Sequence, residues 1–221
     1  MNDTAANSSS PSDSNPRWQR RPGARPEEIL KAALQTFVER GFAATKLDEV
    51  AARAGVSKGT LYLYFPNKEQ LFQAAVRDAV MPPIVAAEQA VAEHAGPALE
   101  LLHTLFDRWA QVVLDPVLGG IGKLVIAEAA NFPETAHFYM NEVVLRIRMV
   151  FLRVIERAIA QGEIRDLPPE LLVRELMSPV LFISVWRHSL GCYEPKPLDI
   201  PLYLRTHLDV VLNGLLPRQG E

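Results

Sequence analysis

Apolar residues recur at helical spacing almost from end to end of this chain, and no segment reads as a credible strand. Ile29, Ala33, Phe37 and Val38 form the stripe of a first helix over 26–40. Pro26 suits an early helical position, Glu27 and Glu28 complement the helix dipole, and Gly41 supplies the C′ cap, so that Phe42 can fold back onto Phe37. From residue 67 onward the pattern predicts helices over about 67–81, 84–94, 97–113, 118–130, 133–161, 169–190 and 201–215. Breaks are expected at Pro82-Pro83, Asn131-Phe132-Pro133, Gly162 and Pro168, with a bend at Pro179. The fold class is therefore all-α.

The most informative stretch is Thr45 to Leu71, TKLDEVAARAGVSKGTLYLYFPNKEQL. Val50, small Ala51, Gly55, Val56 and Leu61 stand where a helix-turn-helix needs them, with Gly55 free to take the left-handed backbone of a tight turn. Val56, Leu61 and Phe65 are expected to point inward, leaving Lys58, Gly59, Thr60, Tyr62 and Leu63 outward on a short helix whose N-terminal end can enter a major groove. Thr45 with Asp48 forms a near capping box, Ser57 caps the second helix, and Asn67 with Gln70 caps the next. Lys68 lies in a helical first turn, where the dipole repels a cation, so an external anion such as a DNA phosphate is its expected partner.

Over Arg25 to Val80 these residues resemble the TetR family of bacterial repressors, in the run ATKLDEVAARAGVSKGTLYLYFPNKEQLF and the preceding Phe37, Gly41 and Phe42. The resemblance implies an N-terminal three-helix DNA-binding domain and a larger C-terminal helical domain for effector binding and dimerisation. It also implies that Lys58, Gly59, Thr60, Tyr62 and Leu63 touch bases or backbone, and that Thr45, Lys46, Ser57, Tyr64 and Lys68 hold phosphates. Leu63 departs from the polar residue common in relatives and offers only van der Waals contact, for example to a thymine methyl. The expected division is an Arg-containing arm over 1–24, the DNA-binding domain over 25–80 and the body over 81–221. Arg17, Arg20, Arg21 and Arg25 make the arm a candidate for an adjacent minor groove, or otherwise a solvated linker.

Charge adds to this picture. Residues 1–80 hold 11 Lys+Arg against 9 Asp+Glu, a balance of +2, while residues 81–221 hold 12 against 17, a balance of −5. A basic front on an acidic body suits double-stranded DNA as partner of the front alone. No stretch is apolar for the ~18–20 residues that span a bilayer, and the polar start lacks an apolar signal core, so no membrane partner and a cytoplasmic location are expected. The single cysteine, Cys192, excludes an internal disulfide.

The two helices over 133–161 and 169–190 carry more apolar residues than one core needs, and pairing with their copies would give an isologous homodimer. Such a dimer predicts a palindromic operator with half-sites about 34–36 Å apart, or a multiple of that. The resemblance further implies a pocket for a small-molecule effector. Its candidate walls are Phe106, Trp109, Val113, Glu128, His137, Met140, Met177 and Trp186, and Glu128 is the telling member because it sits in an apolar helix. Phosphate loops and nucleophile elbows are missing, and His94, His103, His137, His188 and His207 are scattered, so no catalysis, metal or cofactor is expected. A ligand-released repressor is the favoured reading. An activator or protein-controlled regulator of the same fold is the alternative, and a helical enzyme with a fortuitous motif is the remote one.

Overall fold

The computed structural model describes residues 26–217, and the expected Arg arm lies outside them. Helices α1 (Pro26–Arg40), α2 (Leu47–Arg53) and α3 (Lys58–Tyr64) form a small trihelical unit. Phe37, Phe42 and Phe72 meet at its centre with ring centroids 5.3–5.5 Å apart. The turn between α2 and α3 closes on Gly55 at φ +70°, and Val50, Ala51, Val56 and Leu61 are buried around it. Asn67 caps the next helix, its Oδ1 accepting from Gln70 N–H at 2.8 Å. The expected cap at Thr45 does not form. Lys46 occupies the N-cap of α2 without a side-chain bond, and the buried Thr45 hydroxyl donates back to the Gly41 carbonyl at 2.7 Å.

Helix α4 runs unbroken over Lys68–Glu93, through Pro82 and Pro83, which corrects the expected break there. The boundary expected at residue 80 thus falls inside a continuous helix. Two prolines remove two helical N–H donors, and each biases the residue before it away from the helix. Arg146 splints the gap from the neighbouring helix. Its Nε and Nη2 donate to the Glu88 carboxylate at 3.0 and 2.7 Å, while Nη1 reaches Met81 Sδ at 3.1 Å. One guanidinium therefore grips α4 on both sides of the proline pair, and buried Val80 and Ile84 add packing.

The body continues with α5 (Ala98–Leu114) and α6 (Leu118–Glu128). The long helix expected over 133–161 is present but interrupted: α7 (Pro133–Tyr139), a π turn over Met140–Val144, then α8 (Leu145–Ala160). Helix α9 (Pro169–Arg187) keeps Pro179 inside it and α10 (Ile200–Leu215) follows. Glu163 caps α5 from a distance, its carboxylate accepting from the N–H groups of Ala98 and Leu99 at 3.0 and 2.8 Å. Among the described residues no single helix is long and apolar enough to cross a membrane.

Surplus apolar surface is present on the two expected helices, at Leu145 and Met149 of α8 and on α9, and extends to α10 as well. Ile147, Val150, Phe151, Val154, Ile155 and Ala158 of α8 are all buried within the protomer. The large apolar side chains left exposed include Leu171, Leu181 and Phe182 on α9 and Leu202 and Val210 on α10. Phe182 touches Tyr203 across the two helices, ring centroids 5.9 Å apart.

Candidate DNA interface and effector cavity

Helix α3 is held by one side chain. Leu61 is fully buried, whereas Tyr62 is 42% and Leu63 80% exposed. Ser57 starts the helix, its Oγ accepting from Thr60 N–H at 3.1 Å. Around that start Lys46, Ser57, Lys58, Gly59 and Tyr64 are exposed and Thr60 is half-buried. The Lys58 ammonium rests 2.8 Å from Asp48 Oδ1 and 5.9 Å from the Tyr62 ring centre, and Asp48 raises the lysine's pKa above its ordinary value. Lys58 must therefore exchange or share a carboxylate to meet an acceptor in a groove.

Two of the expected phosphate ligands turn inward. The Thr45 hydroxyl is spent on Gly41. Lys68 donates to the Ala43 carbonyl at 3.1 Å and lies over the rings of Phe42 and Phe132, 4.7 and 5.7 Å from their centres. The cation that the helix dipole disfavours is thus compensated by a carbonyl and two aromatic faces within the chain.

The body holds a cavity of about 230 Å³ between α4, α5 and α8. Its walls are almost wholly apolar, with Ile84, Ala87, Leu105, Val112, Val150 and Phe151 among them, and Arg108 and Pro83 also line it. Of the eight residues expected to form the effector pocket, only Trp109 lines this cavity. The buried Trp109 indole N–H has no acceptor among the described residues. Phe106 faces a neighbouring groove toward α10 with Leu204 and Arg205. Val113 is buried in the core, and its carbonyl approaches Gly119 so closely that a Cβ there would stand 2.2 Å away. His137 and Met140 are exposed, Met177 is half-buried, and Trp186 stacks on Phe182 with ring centroids 5.5 Å apart. Glu128 does not line the cavity, and its Oε1 accepts from the Ala43 N–H at 3.0 Å. Helical periodicity could flag large apolar residues, but which interhelical space stays unfilled depends on how α4, α5 and α8 meet. Pro83, Ile84 and Ala87 were missed because the proline pair reads as a break.

Among the described residues no cluster of His, Cys, Asp or Glu could hold a metal ion.

An exposed helix-turn-helix face joined by a shared helix to a cavity-bearing helical body defines a DNA-binding transcriptional regulator. Residues 29–75 match the tetR family of bacterial regulatory proteins, and residues 93–190 match the tetracyclin repressor-like C-terminal domain. The chain belongs to the TetR family, whose members are transcriptional regulators and not enzymes. It is 27% identical over 210 residues to the HTH-type transcriptional repressor KstR2 of Mycolicibacterium smegmatis, covering 90% of this chain and 95% of that one. Identity to the HTH-type transcriptional regulator RutR of Escherichia coli K12 reaches 50%, but over 54 residues, 24% of this chain and 26% of RutR. Its fold is that of the fatty acid degradation regulator FadR from Bacillus halodurans, at TM-score 0.71 and 22% identity over 90% of this chain and 100% of FadR. The ketosteroid transcriptional regulator KstR2 of Mycobacterium tuberculosis aligns at TM-score 0.68 and 24% identity, covering 91% of this chain and all (100%) of that one.

Proposed function

We propose that this regulator is a homodimeric repressor that grips a palindromic operator with two copies of α3 and is released by a small, largely apolar effector. The observation that carries the reading is the asymmetry of α3: Leu61 is fully buried while Lys58, Gly59, Tyr62 and Leu63 are exposed to solvent. Lys58 and Thr60 address base edges, Gly59 allows close backbone approach, Leu63 meets a thymine methyl, and Lys46, Ser57 and Tyr64 hold phosphates. The exposed apolar residues of α9 and α10 supply the dimer face, since a self-complementary helix pair buries both copies at once.

The effector occupies the space between α4, α5 and α8, whose apolar lining favours a compact apolar body with one hydrogen-bond acceptor for the Trp109 N–H. A relative of this fold from Bacillus subtilis, FadR, was solved with stearoyl-CoA, and the KstR2 of Mycobacterium tuberculosis is a ketosteroid transcriptional regulator. Because α4 lines the cavity and begins beside α3, a ligand that prefers a different bend of α4 shifts the two recognition helices off their half-site spacing.

Selection of duplexes from a random pool should recover a two-fold symmetric site. Fatty acids, their CoA thioesters and steroids are then titrated against the complex, and one class should release the DNA. A site without symmetry, or a purely monomeric complex, would contradict the reading. A second reading, activation, is favoured by 43% identity over 68 residues to the HTH-type transcriptional activator FasR of Mycolicibacterium smegmatis. It predicts a selected site upstream of its promoter rather than overlapping it.

A further inference from the structure

The body touches the DNA-binding unit at a second place besides α4. At the C-terminal end of α6, Glu128 reaches across 85 residues of sequence to the turn between α1 and α2. Its Oε1 accepts from the Ala43 N–H at 3.0 Å, and Oε2 lies 3.4 Å from the Asn131 amide nitrogen, which donates to it. The carbonyl of the same Ala43 accepts from Lys68 at 3.1 Å. A carboxylate of the body and an ammonium of α4 thus hold the two backbone groups of one residue, and the Phe42 and Phe132 rings, 4.6 Å apart, close the contact from the side.

Resting on the regulator reading above, we propose that Glu128 is a positioning residue for DNA binding: it fixes the angle of the helix-turn-helix on the body and carries the state of the body to it. The chemistry favours this over simple surface solvation. A hydrogen bond from a backbone N–H to a carboxylate is charge-assisted and directional, so it resists sliding better than apolar packing. Ala43 lies in the short connection after α1, where a backbone donor has no helical partner, and Glu128 supplies one. Helix α6 itself is seated against both units. A Cβ at Gly120 would stand 2.5 Å from Val38 Cγ1 of α1, and one at Gly122 would stand 2.8 Å from Ser184 Oγ of α9. A shift of α6 within the body must therefore reach α1 and the Ala43 turn together, because interfaces packed this closely move between discrete arrangements rather than deforming smoothly.

The test uses the full chain and the duplex recovered by selection, with hydrogen exchange read by mass spectrometry. In the wild type, DNA binding should slow exchange both at 41–47 and in the remote cavity walls 105–112 and 147–151. Glu128→Ala should bind the duplex on the order of 5-fold more weakly and show weaker remote protection, since α4 still links the two units. Glu128→Gln keeps an acceptor for the Ala43 N–H and should stay close to wild type, which separates position from charge. If Glu128→Ala transmits protection to 105–112 and 147–151 as the wild type does, the proposal is overturned. It is overturned as well if the folded wild type binds the duplex without any remote protection. Failure of the wild type to prefer any duplex would instead remove the regulator reading itself.

Discussion

The exposed helix α3 and the helix that backs the apolar cavity treat their side chains in opposite ways. Helix α3 buries Leu61 and leaves Lys58, Gly59, Tyr62, Leu63 and Tyr64 to solvent. Helix α8 buries Ile147, Val150, Phe151, Val154, Ile155 and Ala158, and its cavity is the space its neighbours fail to fill. The first is a surface held in place by one anchor. The second is a gap held open by many. A substitution should therefore act locally and steeply on α3, and diffusely on the body.

The largest effect should come from the anchor. Leu61→Ala removes the one buried side chain of α3 and leaves a cavity that a seven-residue helix cannot collapse around, costing about 2–5 kcal/mol. Chemical denaturation measures it, and operator binding should vanish with the loss of an ordered α3. A change below about 1 kcal/mol would mean that α3 is held by something other than Leu61.

This contrast also explains what could be read from the chain before its fold. The helix-turn-helix was legible because its determinants are local: Gly55 makes the turn, Ser57 and Asn67 cap, and Val56 and Leu61 point inward at helical spacing. The family resemblance and the all-α fold were legible for the same reason. The inward turn of Lys68 and Thr45 was not, since their partners, Ala43, Phe132 and Gly41, are set by packing. Glu128 drew attention as a carboxylate in an apolar helix, but the backbone amide of Ala43 that bonds to it is set by packing between units and was not legible. The proline pair misled because propensity predicts a break, and a tertiary contact from Arg146 overrides it.

Lys58→Ala tests the surface side of the comparison without touching the core. It should cost about 1–3 kcal/mol of operator affinity and relax base preference at one position per half-site, read by binding to a set of single-base variants. Asp48→Asn should act in the opposite sense, raising affinity modestly, because it releases the ammonium now held at 2.8 Å and removes a negative charge near the DNA. If both variants bind like the wild type, Lys58 does not face the groove.

Arg146→Ala tests the body side. The pair with Glu88 is about a third exposed, so solvent screening holds its contribution to roughly 0.5–1 kcal/mol of stability. The informative change is in shape. Without the splint, α4 should bend at Pro82-Pro83, where the lost helical bonds leave it weakest. Spin labels at Gln70 and Glu93, in a Cys192→Ser background, should report a shorter and broader distance distribution than in the unaltered helix. An unchanged distribution would show that the packing of Val80 and Ile84 alone keeps α4 straight.

The smallest effect separates the two regions by pH. All five histidines lie beyond residue 93, so the helix-turn-helix carries no imidazole. In the body, burial first, and then the charges of Arg187 and Lys123, hold the His188 pKa below its ordinary value, and burial lowers that of His207 against an opposing effect of Glu175. Both rings carry a buried Nε2 without a partner among the described residues. A histidine whose folded pKa is depressed takes its proton more readily when unfolded. The stability it contributes is therefore complete above the unfolded value of about 6.5 and declines as pH falls from there toward the folded value. The thermal midpoint should drop between pH 7 and pH 5, and His188→Gln together with His207→Gln should flatten that slope. Hydrogen exchange over the same range should quicken around α6 and α9 before it quickens at α2 and α3. Equal acceleration in both regions would mean that the two units unfold as one, and that the division between a locally anchored surface and a diffusely packed body does not extend to stability.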